Sequence, residues 1–215
     1  MFTTTQVGSW PRSRELLGAL RDRQHGRATR AQLERVADGE VRRCVAAQVE
    51  AGSDVIVDGE LRRDNFYSFI TEKVDGTRLM SLAEMLDTVE DKSGFEGMLD
   101  TLDVPASSIR NPTCIGRIKR RESLATAELA FVRGLTDKPV KITLPGPYLL
   151  TRSMWVTAFS SKHYADKLEL GQDVVALLRA ELLDLAAMGC EFVQFDEPVL
   201  TEVALTDPNE RRTFM

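Results

Sequence analysis

Four short stretches of this chain carry residue types that could do chemistry, and each closes an apolar or β-branched run. "DVIVDGE" ends on Asp58 and Glu60, and "EFVQFDEP" ends on Asp196 and Glu197 before Pro198. "TTTQVGSWP" places Gly8 and Ser9 after Val7, and "KITLPGP" closes on Pro145, Gly146 and Pro147. Paired carboxylates supply charge-assisted hydrogen bonds to a cationic group such as an ammonium. A single acid at a strand end has a plainer use, as a cap for the following helix or a partner for a surface lysine. Two acidic strand ends and two turns converging on one rim would instead form a small-molecule site.

The elements that must position these residues follow a repeated grammar. Leu33, Val36, Ala37, Val41, Cys44, Val45 and Gln48 recur at three-to-four spacing, which predicts an amphipathic helix with Thr29 as its N-cap and Gly52 just past its end. The run "DVIVDGE" is too short for a helix and rich in β-branched residues, so it reads as a buried strand. The pattern returns near residues 163–198: Leu168, Val174, Val175, Leu178, Leu182, Leu185 and Ala186 predict a helix stopped by Gly189, and "FVQFDEP" then predicts a second buried strand. "FTTTQV" is a short first strand, residues 13–24 are helix-prone, and "ESLATAELAFVRGL" predicts a helix before the strand in "KPVKITLPGP". Helix-to-strand units of this kind imply a parallel sheet covered by helices, whose ligands gather at the carboxyl ends of the strands.

Residues 66–120 break the rhythm and read as an insertion. Asp75-Gly76 predicts a hairpin turn, "NPTCIGRIKR" another strand, and "MSLAEMLDTVEDKSGFEGMLDTL" helical or irregular structure. The basic cluster Arg117, Lys119, Arg120 and Arg121 lacks interleaved aromatics and reads as a solvated face.

Composition narrows the partners. With 28 basic against 33 acidic residues the net charge is −5, which sets up no field for nucleic acid or an anionic membrane. No stretch approaches 18 uninterrupted apolar residues and the N-terminus has no leader pattern, so the expectation is a cytoplasmic protein acting on a small molecule. Cys44, Cys114 and Cys190 are odd in number and far apart, which argues against a disulfide framework. His25 and His163 are the only histidines, and no Cys or His pair stands at a metal-ligand spacing. His163 reads as an exposed residue in a helix's first turn, and Cys190 as a small buried apolar group.

Taken in order, "TTTQVGSWPRSREL", "DVIVDGELRRDNFYSF", "VKITLPGPYLL" and "FVQFDEPVL" resemble the cobalamin-independent methionine synthase family, in its catalytic C-terminal-type domain and the shorter stand-alone enzymes. The resemblance implies a (β/α)8 TIM barrel that transfers a methyl group to a thiol, most often homocysteine, held as thiolate on zinc. Matched by position, Val7, Gly8 and Ser9 correspond to the turn that binds the substrate carboxylate. Glu60 and Asp196 correspond to the acids that bind the amino group or lie beside the metal. Glu197 matches a residue of less certain, structural role, and Arg12 and Arg63 lie within the motifs without an assigned chemistry.

Two departures shape the expectation. The family's zinc ligands, a His-x-Cys pair followed by a Glu and a further Cys, lie beyond the "DEP" motif, and only four of eight β/α units are recognisable. Residues 1–215 are thus expected to form one partial barrel domain with its insertion at about 66–120. It would hold no metal ligand of its own, would expose apolar faces, and would be active only with a complementing C-terminal half. The second departure is at "PGPYLLTRSMW", where Arg152 and Ser153 replace the Asn-Trp of folate-using relatives. The donor therefore stands open between methyl-folate and a methylcobalamin or corrinoid protein. Alkyl transfer to a coenzyme M-like thiol, for instance from an epoxide, is the alternative enzyme reading, and a non-catalytic binding or assembly subunit is the alternative outside catalysis.

Overall fold

The computed structural model describes residues 2–81, 84–85, 110–198 and 200. The segment from 82 to 109 that reads as helical or irregular lies almost wholly outside them. The chain divides into two compact units, residues 1–69, 123–144 and 180–194 in the first, and 70–122, 145–179 and 195–215 in the second.

In the first unit, helix α1 (Arg14–Gln24) packs on α2 (Arg30–Glu50). The α2 N-terminus is a capping box: the Thr29 hydroxyl accepts the Gln32 N–H while the Gln32 side chain accepts the Thr29 N–H. The face of α2 that repeats at helical spacing is the buried one, Leu33, Ala37, Val41, Cys44, Val45 and Gln48, with Glu40 joining it and Val36 only half-buried. Gln48 spends its amide on the next strand, donating to the Val57 carbonyl at 2.8 Å and accepting the Val57 N–H at 3.0 Å. This closes a ladder position that no neighbouring backbone fills. Val55, Ile56 and Val57 are at most 3% exposed, and parallel bridges join Thr5 to Val55 and Ile56 to Val140. The two expected strands around residues 5 and 55 are thus single-bridge segments, and β3 (Lys141–Pro145) is the fully buried regular strand among them. Helix α3 (Thr126–Arg133) contacts α2. Its N-terminus has no cap of its own, and Glu181 serves instead by accepting the Leu124 and Ala125 N–H groups at 2.7 and 2.8 Å.

In the second unit, β1 (Val74–Ser81) and β2 (Arg110–Arg120) form an antiparallel pair on which α4 (Pro147–Met154) and α5 (Thr157–Ser160) pack. The expected turn at Asp75-Gly76 is not a turn. The register shifts between Asp75 and Thr77, so the dipeptide is a bulge inside β1. Gly76 has φ +80°, and a Cβ there would run into the Arg117 carbonyl, so both backbone sterics and space demand glycine. Arg117, Lys119 and Arg121 of the basic cluster are exposed as expected, with Arg117 pairing with Glu169 and Asp173 and Arg121 with Asp75, whereas Arg120 is half-buried. His163 is exposed but sits in the turn after α5, not in a helix.

Two elements run through residues of both units, α6 (Lys167–Ala187) and β4 (Phe192–Asp196), the latter hydrogen-bonded beside β3. Here the burial expectation holds for Val174, Leu178 and Leu185 but not for the rest of the stripe. Leu168 and Val175 are 72% and 52% exposed and Ala186 is exposed, while Leu170, Leu177 and Glu181 are buried instead. "FVQFD" forms a strand, but not a buried one: Phe192 and Phe195 are 42% and 37% exposed. Among the described residues β4 has a strand neighbour on one side only. Cys190 is half-buried rather than buried.

Candidate functional site

Glu60 is the centre of the buried polar cluster in the first unit. It is 1% exposed, and its carboxylate accepts the Ser9 hydroxyl on Oε2 and the Thr143 hydroxyl on Oε1 at 2.8 Å. Gly8 lies so close that an added Cβ would be 2.5 Å from Glu60 Oε1. The Val7-Gly8-Ser9 turn and the Glu60 acid, 51 residues apart for the Ser9 pair, are therefore brought together by the fold. The backbone that presents Glu60 is unusual. Gly59 and Glu60 both lie in the left-handed region, at φ 73° and 56°, and Glu60 is the one non-glycine residue there among the described residues. For a residue with a long side chain this conformation costs about 1 kcal/mol or more unless its surroundings hold it.

Several groups hold it. Asp58 Oδ1 accepts the Glu60 N–H at 2.9 Å. Arg12 Nη2 donates to the carbonyls of Glu60 and Arg63 at 3.3 and 3.1 Å. Trp10 N–H donates to the Gly59 carbonyl at 2.9 Å. Arg63, 2% exposed, pairs with Glu128 and donates to the Thr143 carbonyl at 2.9 Å, with its guanidinium 4.3 Å from the Phe69 ring centre. Lys141 Nζ donates to the Gln6 and Val7 carbonyls at 2.6 and 3.2 Å and to Gln194 Oε1 at 2.6 Å, and Gln194 Nε2 also donates to the Val7 carbonyl at 2.9 Å. The segment entering the Gly8 turn is thereby tied to β3 and β4.

The electrostatics follow from burial. Desolvation, then the nearby Glu128 charge, pushes the Asp58 carboxyl up to about 6, against a smaller downward pull from Arg63. Its Oδ2 has no hydrogen-bond partner, so the charged form is poorly served at that atom. Burial works against the Arg63 guanidinium, but the charges of Glu128 and Asp58 outweigh it and hold Arg63 above its ordinary range. The structure brings the expected Gly8, Ser9 and Glu60 together and joins to them Asp58, of the same strand end, with Thr143 and the Arg63–Glu128 pair, whose part the sequence does not indicate. Arg63 and Glu128 are 65 positions apart, and no local spacing announces such a pair.

Asp196 and Glu197 lie in the second unit. The Gly146 N–H donates to the Asp196 carbonyl at 2.8 Å. The Glu197 carboxylate accepts the Tyr148 and Leu149 N–H groups at 2.7 and 2.9 Å, filling two of the open donors at the start of α4, which has Pro147 in its first turn and no cap of its own. A Cβ on Gly146 would overlap Glu197. Glu197 is thus a helix cap supplied from the strand end.

Among the described residues no group of three or more His, Cys, Asp or Glu side chains could hold a metal ion. Burial raises the Cys44 thiol to about 12, and it raises Cys114 and Cys190 as well, so all three favour the protonated form. No helix among the described residues is long and apolar enough to cross a membrane.

With this geometry in view, the chain matches over residues 1–215 the family model described as "Cobalamin-independent synthase, Catalytic domain". It is 27% identical over 207 residues to the 5-methyltetrahydropteroyltriglutamate–homocysteine methyltransferase of Thermotoga maritima, covering 95% of this chain and 25% of that protein. It is 26% identical over 202 residues to the methionine synthase of Saccharolobus solfataricus, covering 93% of this chain and 54% of that protein. The chain thus spans between about a quarter and about half the length of these relatives. A solved structure of a B12-independent methionine synthase from Shewanella, in complex with selenomethionine, superimposes with a TM-score of 0.61 at 23% identity, covering 81% of this chain and 45% of that one. That likeness shows a shared α/β fold.

Proposed function

The chain belongs to the cobalamin-independent synthase catalytic-domain family, and from that premise we propose that it takes part in methyl transfer to the sulfur of homocysteine, giving methionine. In that reaction the thiol gives up its proton to the medium, the sulfur's electron pair forms the S–CH3 bond, and the donor keeps the pair of the bond that breaks. We assign this chain the binding of the amino acid end of the acceptor. Glu60 takes the substrate ammonium, and the Gly8-Ser9 turn, with Val7 leading into it, takes the carboxylate. Asp196 is assigned to substrate by the same resemblance. The partial barrel, of which the chain would supply the first four β/α units with an insertion at about 66–120, belongs to this proposal, as does a cytoplasmic setting in keeping with three free cysteines.

One observation carries the reading: a buried carboxylate and an exposed serine hydroxyl, from distant parts of the chain, are bonded to each other beside a glycine that leaves no room for a side chain. A zwitterion matches that pair, because its carboxylate can take the Ser9 proton while its ammonium takes the Glu60 oxygen so released. The zinc ion that the resemblance implies finds no fit among the described side chains. The proposal therefore rests on the amino and carboxylate groups of the acceptor alone.

Isothermal titration of the purified chain with homocysteine tests it. Glu60→Gln is expected to weaken binding by about tenfold or more, whereas coenzyme M, a thiol without an ammonium, should bind weakly and respond little. Equal homocysteine affinity in wild type and Glu60→Gln would sink the assignment. Offering methyl-folate and methylcobalamin separately in a methionine-formation assay identifies the donor.

A further inference from the structure

We propose that Asp58 is a positioning residue: by accepting the Glu60 N–H it holds Glu60 in its left-handed backbone conformation and so keeps the Glu60 carboxylate between Ser9 and Thr143. Three observations carry this. Glu60 stands at φ 56° without being glycine, so the backbone there needs external support. Asp58 Oδ1 lies 2.9 Å from that residue's nitrogen. The position of the Glu60 side chain is tightly bounded, by the Ser9 and Thr143 hydroxyls on its two oxygens and by Gly8 against Oε1, so a small backbone rotation at residue 60 moves the carboxylate out of register with both hydroxyls.

The orphaned Asp58 Oδ2 supports a role other than stability. A buried carboxylate with one unpartnered oxygen is an expensive way to accept a single backbone N–H. The group it touches is the one assigned to the substrate. Thr143 completes the arrangement from β3: its hydroxyl donates to Glu60 while its carbonyl is fixed by Arg63 Nη1.

The link from Asp58 to substrate rests on the reading of Glu60 as the ammonium site, and the experiment keeps the two apart. Amide hydrogen exchange at Glu60 needs no ligand. Asp58→Ala should lose at least tenfold protection there, and Asp58→Asn, which keeps the accepting oxygen, should restore it. The second readout is the ratio of affinities for homocysteine and its deaminated analogue 4-mercaptobutyrate, by titration calorimetry. A merely destabilised fold weakens both ligands alike, whereas a misdirected Glu60 lowers the ratio. The ratio is expected to fall about tenfold in Asp58→Ala, as it does in Glu60→Gln, and to return in Asp58→Asn. Unchanged Glu60 protection in Asp58→Ala overturns the proposal. So does an unchanged ratio in Asp58→Ala when Glu60→Gln lowers it. If Glu60→Gln leaves the ratio at the wild-type value, the ammonium reading falls, and the exchange result alone then decides whether Asp58 supports the Glu60 backbone.

Discussion

Replacing Asp58 by asparagine should stabilise the protein at neutral pH and do nothing for it in acid. The carboxyl is 4% exposed, one of its oxygens has no partner, and its pKa is raised from 3.8 to about 6 in the fold. Between those two values the native state binds a proton that the unfolded chain has released, so stability falls as pH rises through this window. The gap between 3.8 and about 6, at about 1.36 kcal/mol per pH unit, puts the cost of the charged form near 3 kcal/mol at pH 7.5. Asparagine keeps the oxygen that accepts the Glu60 N–H and removes the charge, so it resembles the protonated acid. Urea unfolding of wild type and Asp58→Asn should therefore show the variant more stable by up to about 3 kcal/mol at pH 7.5, the difference shrinking through pH 6 and vanishing near pH 4. Loss of the attraction between Asp58 and Arg63 works against this gain, but desolvation and the Glu128 charge are the larger influences. A variant less stable than wild type at pH 7.5, or a difference that does not change with pH, would refute the reasoning.

Other perturbations have defined outcomes. Glu128→Gln leaves the Arg63 guanidinium buried with its main anion gone, and chemical denaturation should register a loss of about 3–5 kcal/mol, much of it recovered when Arg63→Met is added. Glu197→Ala removes the acceptor for two N–H groups at the start of α4 and should lower stability by about 1–2 kcal/mol in thermal melts, while Glu197→Gln, which still offers one oxygen, should lose less. Cys44, 1% exposed and raised to about 12, should resist alkylation at pH 8 in the native protein and react once urea unfolds it, as followed by mass spectrometry.

Local grammar accounts for much of what was legible in advance. The N-cap at Thr29, most of the buried stripe of α2 and the burial of the apolar run at 55–57 depend on nearest neighbours and on period, and they stand as expected. The motifs around Ser9 and Glu60 were legible for another reason: each is a short stretch whose residue types are unusual at a strand end, and their order along the chain is specific. Where the expectation failed, the deciding partner was remote. Asp75-Gly76 has the composition of a turn, but its conformation is set by β2, whose register makes it a bulge. "FVQFD" and "VIV" look alike in isolation, yet the first is partly exposed and the second buried, because burial is set by what the fold packs against each face.

The sequence by itself determined the α/β class and the family. It did so because side-chain type, spacing and order are properties of the chain before it folds. Only the tertiary structure decided how Glu60 is held. Its left-handed backbone, the Asp58 oxygen on its N–H, the Thr143 hydroxyl 83 residues away and the buried Arg63–Glu128 pair behind it arise from packing across long loops. No spacing rule reaches that far. The pKa of Asp58 is likewise a property of the folded chain, because burial and the charges assembled around it exist only once those segments meet.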